Sequence, residues 1–246
     1  MMNDLTTPAP VDWKTSAIYL DFDGTLVDLA PRPDEVWLPE RESRLLTTLS
    51  KRCEGGVAIL SGRDLENLRP FLRGLPVILS GSHGAQIEIN GDPTLVPGAD
   101  WDVEAVFHSL KPFAEDNDLL IERKTAAIAV HYRTRPDLAN DVKATVERLA
   151  SSHHGLKPVH GKMVSELASN EYNKGSALIQ LSNHPQFAGR MPVAVGDDTT
   201  DEDMFVAAQS IGGIGIKIGL GRTAARYRFK TRRNFVTWLS HTLEID

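Results

Sequence analysis

Four short apolar runs, each ending abruptly in small or polar residues, constrain what this chain can fold into more than any other feature. They are AIYL (17–20) before Asp21, GVAIL (56–60) before Ser61, PVIL (76–79) before Ser80 and Gly81, and PVAV (192–195) before Gly196 and Asp197. Little alternation of apolar with polar residues runs through them, which is the pattern of strands buried on both faces. Helical patterns lie between the first three. ERESRLLTTLSKR carries apolar residues at helical spacing ahead of Gly55–Gly56, and DLENLRPFLRG opens on Asp64 and closes on Gly74. Strands alternating with helices predict an α/β fold, a parallel Rossmann-like sheet with helices on both faces. Ligands of such sheets bind beyond the carboxyl ends of the strands. Asp21, Ser61 and Asp197 sit at those ends, so three polar residues far apart in the chain are expected at one sheet edge.

The stretch 99–168 reads differently. DWDVEAVFHSLKPFAEDN is a helix pattern, LLIERKTAAIAVHYR two strands with a turn near Lys124, PDLANDVKATVERLASSH a second helix with Pro136 at its start, and LKPVHGKMVSELA a second strand pair. This order predicts a small α+β cap with an antiparallel sheet. The expected organisation is a core domain from 1–98 and 169–246, a cap from 99–168 between them, and a disordered tail over 1–14. Near the C-terminal end, GGIGIKIGLG offers a G-x-G pattern at Gly213 and Gly215, but its alternating isoleucines make it a strand rather than the turn of a dinucleotide site.

At 246 residues a core plus a smaller insert fits ordinary domain sizes, and with 41% hydrophobic and 24% charged residues the chain has the composition of a globular protein. The net charge of −6 argues against nucleic acid as a partner. The basic stretch Arg222–Arg233 reads as a solvated face. No apolar run approaches the ~20 residues that span a membrane, and the N-terminus has no signal pattern, so a cytoplasmic monomer acting on a small molecule is expected. Cys53, the sole cysteine, excludes an intrachain disulfide and reads as a small buried residue.

The segment LDFDGTL (20–26) carries the strongest chemical signal. Asp21 and Asp23 are two apart at the end of an extended strand and leave it on one side, and Gly24 permits the sharp turn that follows. An isolated D-x-D-G is often only an acidic turn. Here a second acidic cluster, GDDTTDED (196–203), follows another buried strand. Two such clusters at one sheet edge would repel each other without a cation, and oxygen-only ligands suit a hard one.

DFDGT, the serine of SGR (61–63), the lysine of NKG (173–175) and GDD-x-TD (196–201) resemble, in order, the four motifs of the haloacid dehalogenase phosphatase superfamily. LDFDGTLVDLAPRPDEV, AILSGR, GSHGA, KTAAIAVHYR, GKMVSEL and GRMPVAVGDDTTDEDMF resemble, more narrowly, the trehalose-6-phosphate phosphatase family over residues 17–239. That resemblance implies an Mg²⁺-dependent hydrolysis of trehalose 6-phosphate in which Asp21 attacks phosphorus to form an aspartyl-phosphate and Asp23 moves the protons. It implies Mg²⁺ held by Asp21, the backbone carbonyl of Asp23 and Asp197, with Asp198 or Asp201 supporting from behind. Ser61 and Lys174 would hold the phosphoryl oxygens. Arg63, Lys124, Lys162 and Glu166 match positions that contact substrate, and His83 either contacts substrate or bonds the loop. Lys162 and Glu166, four apart, read as residues of one strand facing one way. A phosphatase of another phosphosugar, such as a glycosyl-phosphoglycerate, and a phosphotransferase or mutase are the alternatives. The chain departs from the family at LASNEYNKG (167–175), where Ala168 and Ser169 replace a basic residue and a proline, and a looser hinge between cap and core is expected there.

Overall fold

A computed structural model describes residues 7–9, 11–30, 32, 35–89, 91–95 and 102–245. Five parallel crossings build the core. The strands are β1 (Ser16–Leu20), β2 (Val57–Leu60), β3 (Ile78–Gly81), β10 (Met191–Gly196), β11 (Ile214–Ile218) and β12 (Tyr227–Phe229). A hairpin, β4 (Gln86–Ile89) and β5 (Asp92–Leu95), extends the sheet, whose order is β12-β11-β10-β1-β2-β3-β4-β5. Pairing is parallel from β12 to β3 and antiparallel across β3-β4-β5. That antiparallel edge was not among the expected elements. It is built from QIEI and DPTL, runs of mixed polar and apolar residues without the continuous apolar signature of the buried strands.

Strands β1, β2 and β3 are buried along their whole length, and β10 is buried from Pro192 onward. On one face Ile18, Leu20, Ile59, Val193 and Ile216 pack against helices α1 (Glu40–Arg52), α2 (Leu65–Leu72) and α7 (Arg232–Leu243). The other face is lined by the smaller Ala17, Ala58 and Ala194 with Tyr19, against α5 (Lys174–Ser182) and α6 (Glu202–Ser210). Small residues there bring the helices close, and Gly215 is part of the same fit, since a Cβ on it would lie 2.8 Å from Phe205. Burial on this scale, at about 25 cal/mol per Å² of apolar surface, drives the fold. Cys53 is fully buried in it, and burial pushes its thiol up to about 12.

The tail expected over 1–14 ends sooner than that. Asp12 caps a short turn by accepting from the Lys14 N–H, and Trp13 is 8% exposed with its ring 5.7 Å from that of Trp238 on α7. An indole next to a helix gains too much apolar burial to stay in water.

The cap comprises α3 (Val103–Asp116), β6 (Leu120–Arg123), β7 (Ala127–His131), α4 (Ala139–Ser152), β8 (Leu156–Gly161) and β9 (Val164–Ser169). Its antiparallel sheet has the order β6-β7-β9-β8. Ile128, Val130 and Leu167 form one face with Val106, Leu110, Val142 and Val146 of the two helices. Alternation turns Ala127, Ala129, Glu166 and Ala168 to the other face, toward the core. The crossing expected near Gly98 lies outside the described residues. At the second crossing Ala168 and Ser169 belong to β9, and cap hydrogen bonds run on to its start, from Ser169 N–H to Ala126 O and from Asn170 N–H to Gly155 O.

Candidate active site

Strand β1 lies between β2 and β10, where the strand order changes direction, and this is where a crevice opens above a parallel sheet. Asp21 leaves β1 there and Asp197 follows β10. Two glycines let the carboxylates converge. Gly24 has φ +86°, and a Cβ on it would lie 2.3 Å from Asp197 Oδ2. A Cβ on Gly196 would lie 2.3 Å from Asp201 Cγ.

Lys174 opens α5 and is buried with its Nζ 2.6 Å from Asp21 Oδ1 and 2.6 Å from Asp201 Oδ1. Burial alone would depress the ammonium, but Asp201 and Asp21 hold it well above its ordinary range. Asp201 accepts three hydrogen bonds in all, since its Oδ2 also accepts from the backbone N–H groups of Asp197 and Asp198 at 2.8 Å each. Asp21 Oδ2 and Asp197 Oδ1, both buried, accept no hydrogen bond. Burial first, then the Asp201 charge, raise Asp21 well above the carboxylate range, and Asp197 is raised for the same leading reason against the pull of Lys162. Oxygens of Asp21, Asp197 and Asp201 lie within 4.8 Å of one another. Two orphaned carboxylate oxygens in an under-neutralised buried cluster fit a hard divalent cation. The side chain of Asp23 is turned elsewhere, forked onto Arg63.

The other residues singled out in the sequence gather around this cluster. Ser61 is buried beside the cavity, and its Oγ accepts from the Arg63 N–H. His83 adopts φ +55° on the loop after β3 and meets Glu166 of the cap, Nε2 to Oε2 at 2.6 Å. Gly62 makes room for the imidazole, which a Cβ there would approach to 2.7 Å. Lys124 donates to the Gly62 carbonyl at 2.9 Å and to Glu166 Oε1. Burial would raise Glu166, yet Lys124 and His83 hold its carboxyl far below the usual range.

One sequence reading changes. Lys162 is not on a strand with Glu166. The pair Gly161↔Val164 closes a hairpin with Lys162 and Met163 as its turn, and Met163 takes φ +61°. From that turn the Lys162 ammonium reaches Asp197, and its N–H donates to Asp198 Oδ2 at 3.0 Å. Asp198 therefore ties the cap to the core, while Asp201 supports Lys174 and the Asp197 loop. Glu122, His131 and Asn67 also line the site, with His131 Nε2 2.9 Å and Asn67 Nδ2 3.3 Å from the Glu122 carboxylate. A signal for Glu122 was present: it stands two residues before Lys124, so strand alternation turns both the same way.

Cap and core enclose a cavity of about 540 Å³, with Asp21, Lys174 and Asp197 at its floor and Lys124, Glu122 and Glu166 on its cap side. That is a volume suited to a small polar ligand. The family model for trehalose-phosphatase matches residues 19–231, a span that includes every one of these side chains. The chain belongs to the trehalose-phosphatase family. A relative from Sinorhizobium fredii, described as a probable trehalose-phosphate phosphatase, is 36% identical over 222 residues, which is 88% of this chain and 82% of that one. The trehalose-6-phosphate phosphatase of Escherichia coli is 31% identical over 242 residues, 97% and 90% of the two chains. The C-terminal domain of the Candida albicans trehalose-6-phosphate phosphatase superposes with a TM-score of 0.86 over 99% of this chain and 100% of its own, at 24% identity, and so shows the same fold. Membership in the trehalose-phosphatase family makes the chain a phosphoric monoester hydrolase. Among the described residues no helix is long and apolar enough to cross a membrane.

Proposed function

We propose that this chain hydrolyses trehalose 6-phosphate to trehalose and phosphate, with Mg²⁺, through a phosphoaspartate on Asp21. The observation that carries the reading is the buried Asp21 carboxylate, one oxygen held by Lys174 and the other unpaired, at the floor of a cavity whose cap side presents Lys124 and Glu166.

Asp21 Oδ2 attacks phosphorus as the bond to the sugar oxygen breaks, and Asp23 gives that oxygen its proton. Water then attacks phosphorus, Asp23 takes a proton back, and the bond to Asp21 breaks to release phosphate. Splitting one displacement into two gives each a good nucleophile or leaving group. Lys174 keeps Asp21 oriented and, with Ser61 and Lys162, offers donors to the phosphoryl oxygens; fixed donors in a dry site are the main source of rate in phosphoryl transfer. Asp21, Asp197 and the carbonyl of Asp23 would hold Mg²⁺, which when bound supplies positive charge to the transferring group. Glu166, Lys124 and Glu122 provide acceptors and a donor for sugar hydroxyls, and a site built to bond hydroxyls rejects analogues that leave these groups unpaired.

The test is phosphate release over a panel of sugar phosphates. Trehalose 6-phosphate should give the highest kcat/KM. If glucose 6-phosphate or a glycosyl-phosphoglycerate matches it, the sugar assignment fails and the phosphatase assignment stands. Transfer of phosphate to a second sugar without release would instead mark a phosphotransferase.

A further inference from the structure

We infer that Arg63 is a positioning residue for Asp23: its guanidinium fixes the orientation of that carboxylate, and it acts on the reaction through Asp23 rather than by gripping substrate. This rests on the reading that Asp23 moves the leaving-group proton.

The geometry is a side-on fork. Arg63 Nε donates to Asp23 Oδ2 at 2.6 Å and Nη2 donates to Asp23 Oδ1 at 2.8 Å. Two parallel charge-assisted bonds fix both the position and the plane of the carboxylate, which a single bond would not. The guanidinium is itself fixed. Its Cζ lies 5.6 Å from the Phe22 ring centroid and 5.3 Å from that of Phe71, and the Arg63 side chain is only 13% exposed. Phe22 stands between Asp21 and Asp23, so the slot that holds Arg63 is part of the segment carrying the nucleophile. The backbone of Arg63 is pinned at both ends, its N–H donating to Ser61 Oγ at 3.1 Å and its carbonyl accepting from Ser82 N–H at 2.8 Å. The side chain of Asp23 is 30% exposed at the edge of the cavity, with two torsions to be restrained and water to compete for its oxygens. A proton-transfer group loses rate steeply when its position is not held.

The alternative is that Arg63 contacts the substrate directly, as its place in the SGR motif suggested. Its Nε and Nη2 donors, however, are already engaged by Asp23, whereas the phosphoryl end has Lys174 and Lys162 close at hand.

The experiment is a double-mutant cycle. Arg63→Met fills the slot between the two rings without donors, and Arg63→Lys keeps a charge there, so it reports even if the Met variant does not fold. Each is made alone and with Asp23→Asn, and turnover is measured on trehalose 6-phosphate and on p-nitrophenyl phosphate, whose leaving group needs little protonation. Arg63→Met should lower kcat on the sugar phosphate by about tenfold or more with KM changed less than about twofold, and should cost the aryl phosphate less than about threefold. In the Asp23→Asn background the same change should add less than about twofold, because the two residues act as one unit. Arg63→Lys should behave like Arg63→Met, since an ammonium cannot make two parallel bonds. A raised KM with unchanged kcat, or an equal loss in both backgrounds, overturns the inference. If Asp23→Asn alone slows both substrates equally, the reading of Asp23 as proton carrier fails, and that single variant shows it before the cycle is closed.

Discussion

Asp21 and Asp197 each carry a buried oxygen with no donor, an arrangement unfavourable to folding and suited to charge transfer. Asp21→Asn should therefore abolish turnover, by at least about 10⁴-fold, because an amide is not a usable nucleophile. Its melting temperature should equal or exceed that of the parent, since burial and Asp201 already disfavour the charged form. Near-parental phosphate release would refute the nucleophile assignment. Gly24 is the other residue on which the cluster depends. Gly24→Ala must place a Cβ at φ +86° and 2.3 Å from Asp197 Oδ2. A stability loss of about 1–2 kcal/mol from the backbone is expected, together with weaker Mg²⁺ dependence of activity, measured by titrating the metal at fixed substrate. Glu166 makes a pH prediction. Its carboxyl is depressed below the ordinary 4.5, mainly by Lys124 against burial, so its stabilising contribution is complete above about pH 4.5 and is lost as the pH falls below that value toward its folded one. Glu166→Gln should cost about 3 kcal/mol at neutral pH by leaving Lys124 buried without its partner charge. The gap in melting temperature between parent and variant should narrow as pH is lowered from 5. A gap independent of pH would show that the Glu166 charge is not the source of the stabilisation.

At the scale of elements, the cap is fastened by a helix end that gives up its own cap. Asp64 stands at the N-cap of α2 but bonds none of its helix N–H groups through its side chain. The carboxylate instead accepts from Thr125 N–H at 3.0 Å and from the Thr125 and Ser82 hydroxyls. Gln86 Oε1 takes over the Leu65 N–H at 2.9 Å, and its amide donates to Thr125 Oγ1. The β6–β7 turn that carries Lys124 is thus clipped to the core by Asp64 and Gln86. Asp64→Ala should leave the global fold intact and loosen this turn. KM for the sugar phosphate should rise by roughly tenfold, the worth of one or two hydrogen bonds, while hydrolysis of a small aryl phosphate changes little. Steady-state kinetics on both substrates check this, and equal effects would place Asp64 outside the sugar-binding function.

The whole molecule brings two separately built cores together around one polar cavity. Direct contacts across it include Glu166 with His83, Lys124 with Gly62, Lys162 with Asp197 and Asp198, and Thr199 Oγ1 with the His160 carbonyl. These bonds are polar and exchangeable, as a cap that must admit substrate requires. Chelation should abolish activity, and adding Mg²⁺ back should restore it and raise the melting temperature, since a cation at about 100 times its Kd stabilises by about 2.7 kcal/mol. Full activity in excess EDTA would reject the metal assignment. Small-angle scattering with and without a tight-binding phosphate analogue reads the movement of the cap, and identical curves would argue against closure.

How much of this was legible beforehand follows from which interactions are local. The apolar runs that became β1, β2, β3 and β10 announced themselves because a strand buried on both faces must be apolar at every position. Asp21, Ser61 and Asp197 were placed correctly at the sheet edge, since parallel strands deliver their ends to one side whatever the loops do. The β4–β5 hairpin was silent because β4 is only partly buried and β5 is the edge strand, so neither must be apolar throughout. Trp13 escaped because its partner, Trp238, is remote in the chain. Lys162 was misplaced by a spacing argument, since four residues can span a strand or a tight hairpin, and only the pairing of Gly161 with Val164 separates the two. The amino-acid sequence by itself determined the nature of the strands, the acidic clusters and the glycines that let them approach. Tertiary structure alone decided which acid pairs with which base: Asp23 with Arg63, Glu166 with His83 and Lys124, Asp198 with the cap turn. A charge finds its partner through distance and burial in the folded chain, and neither is written in the order of residues.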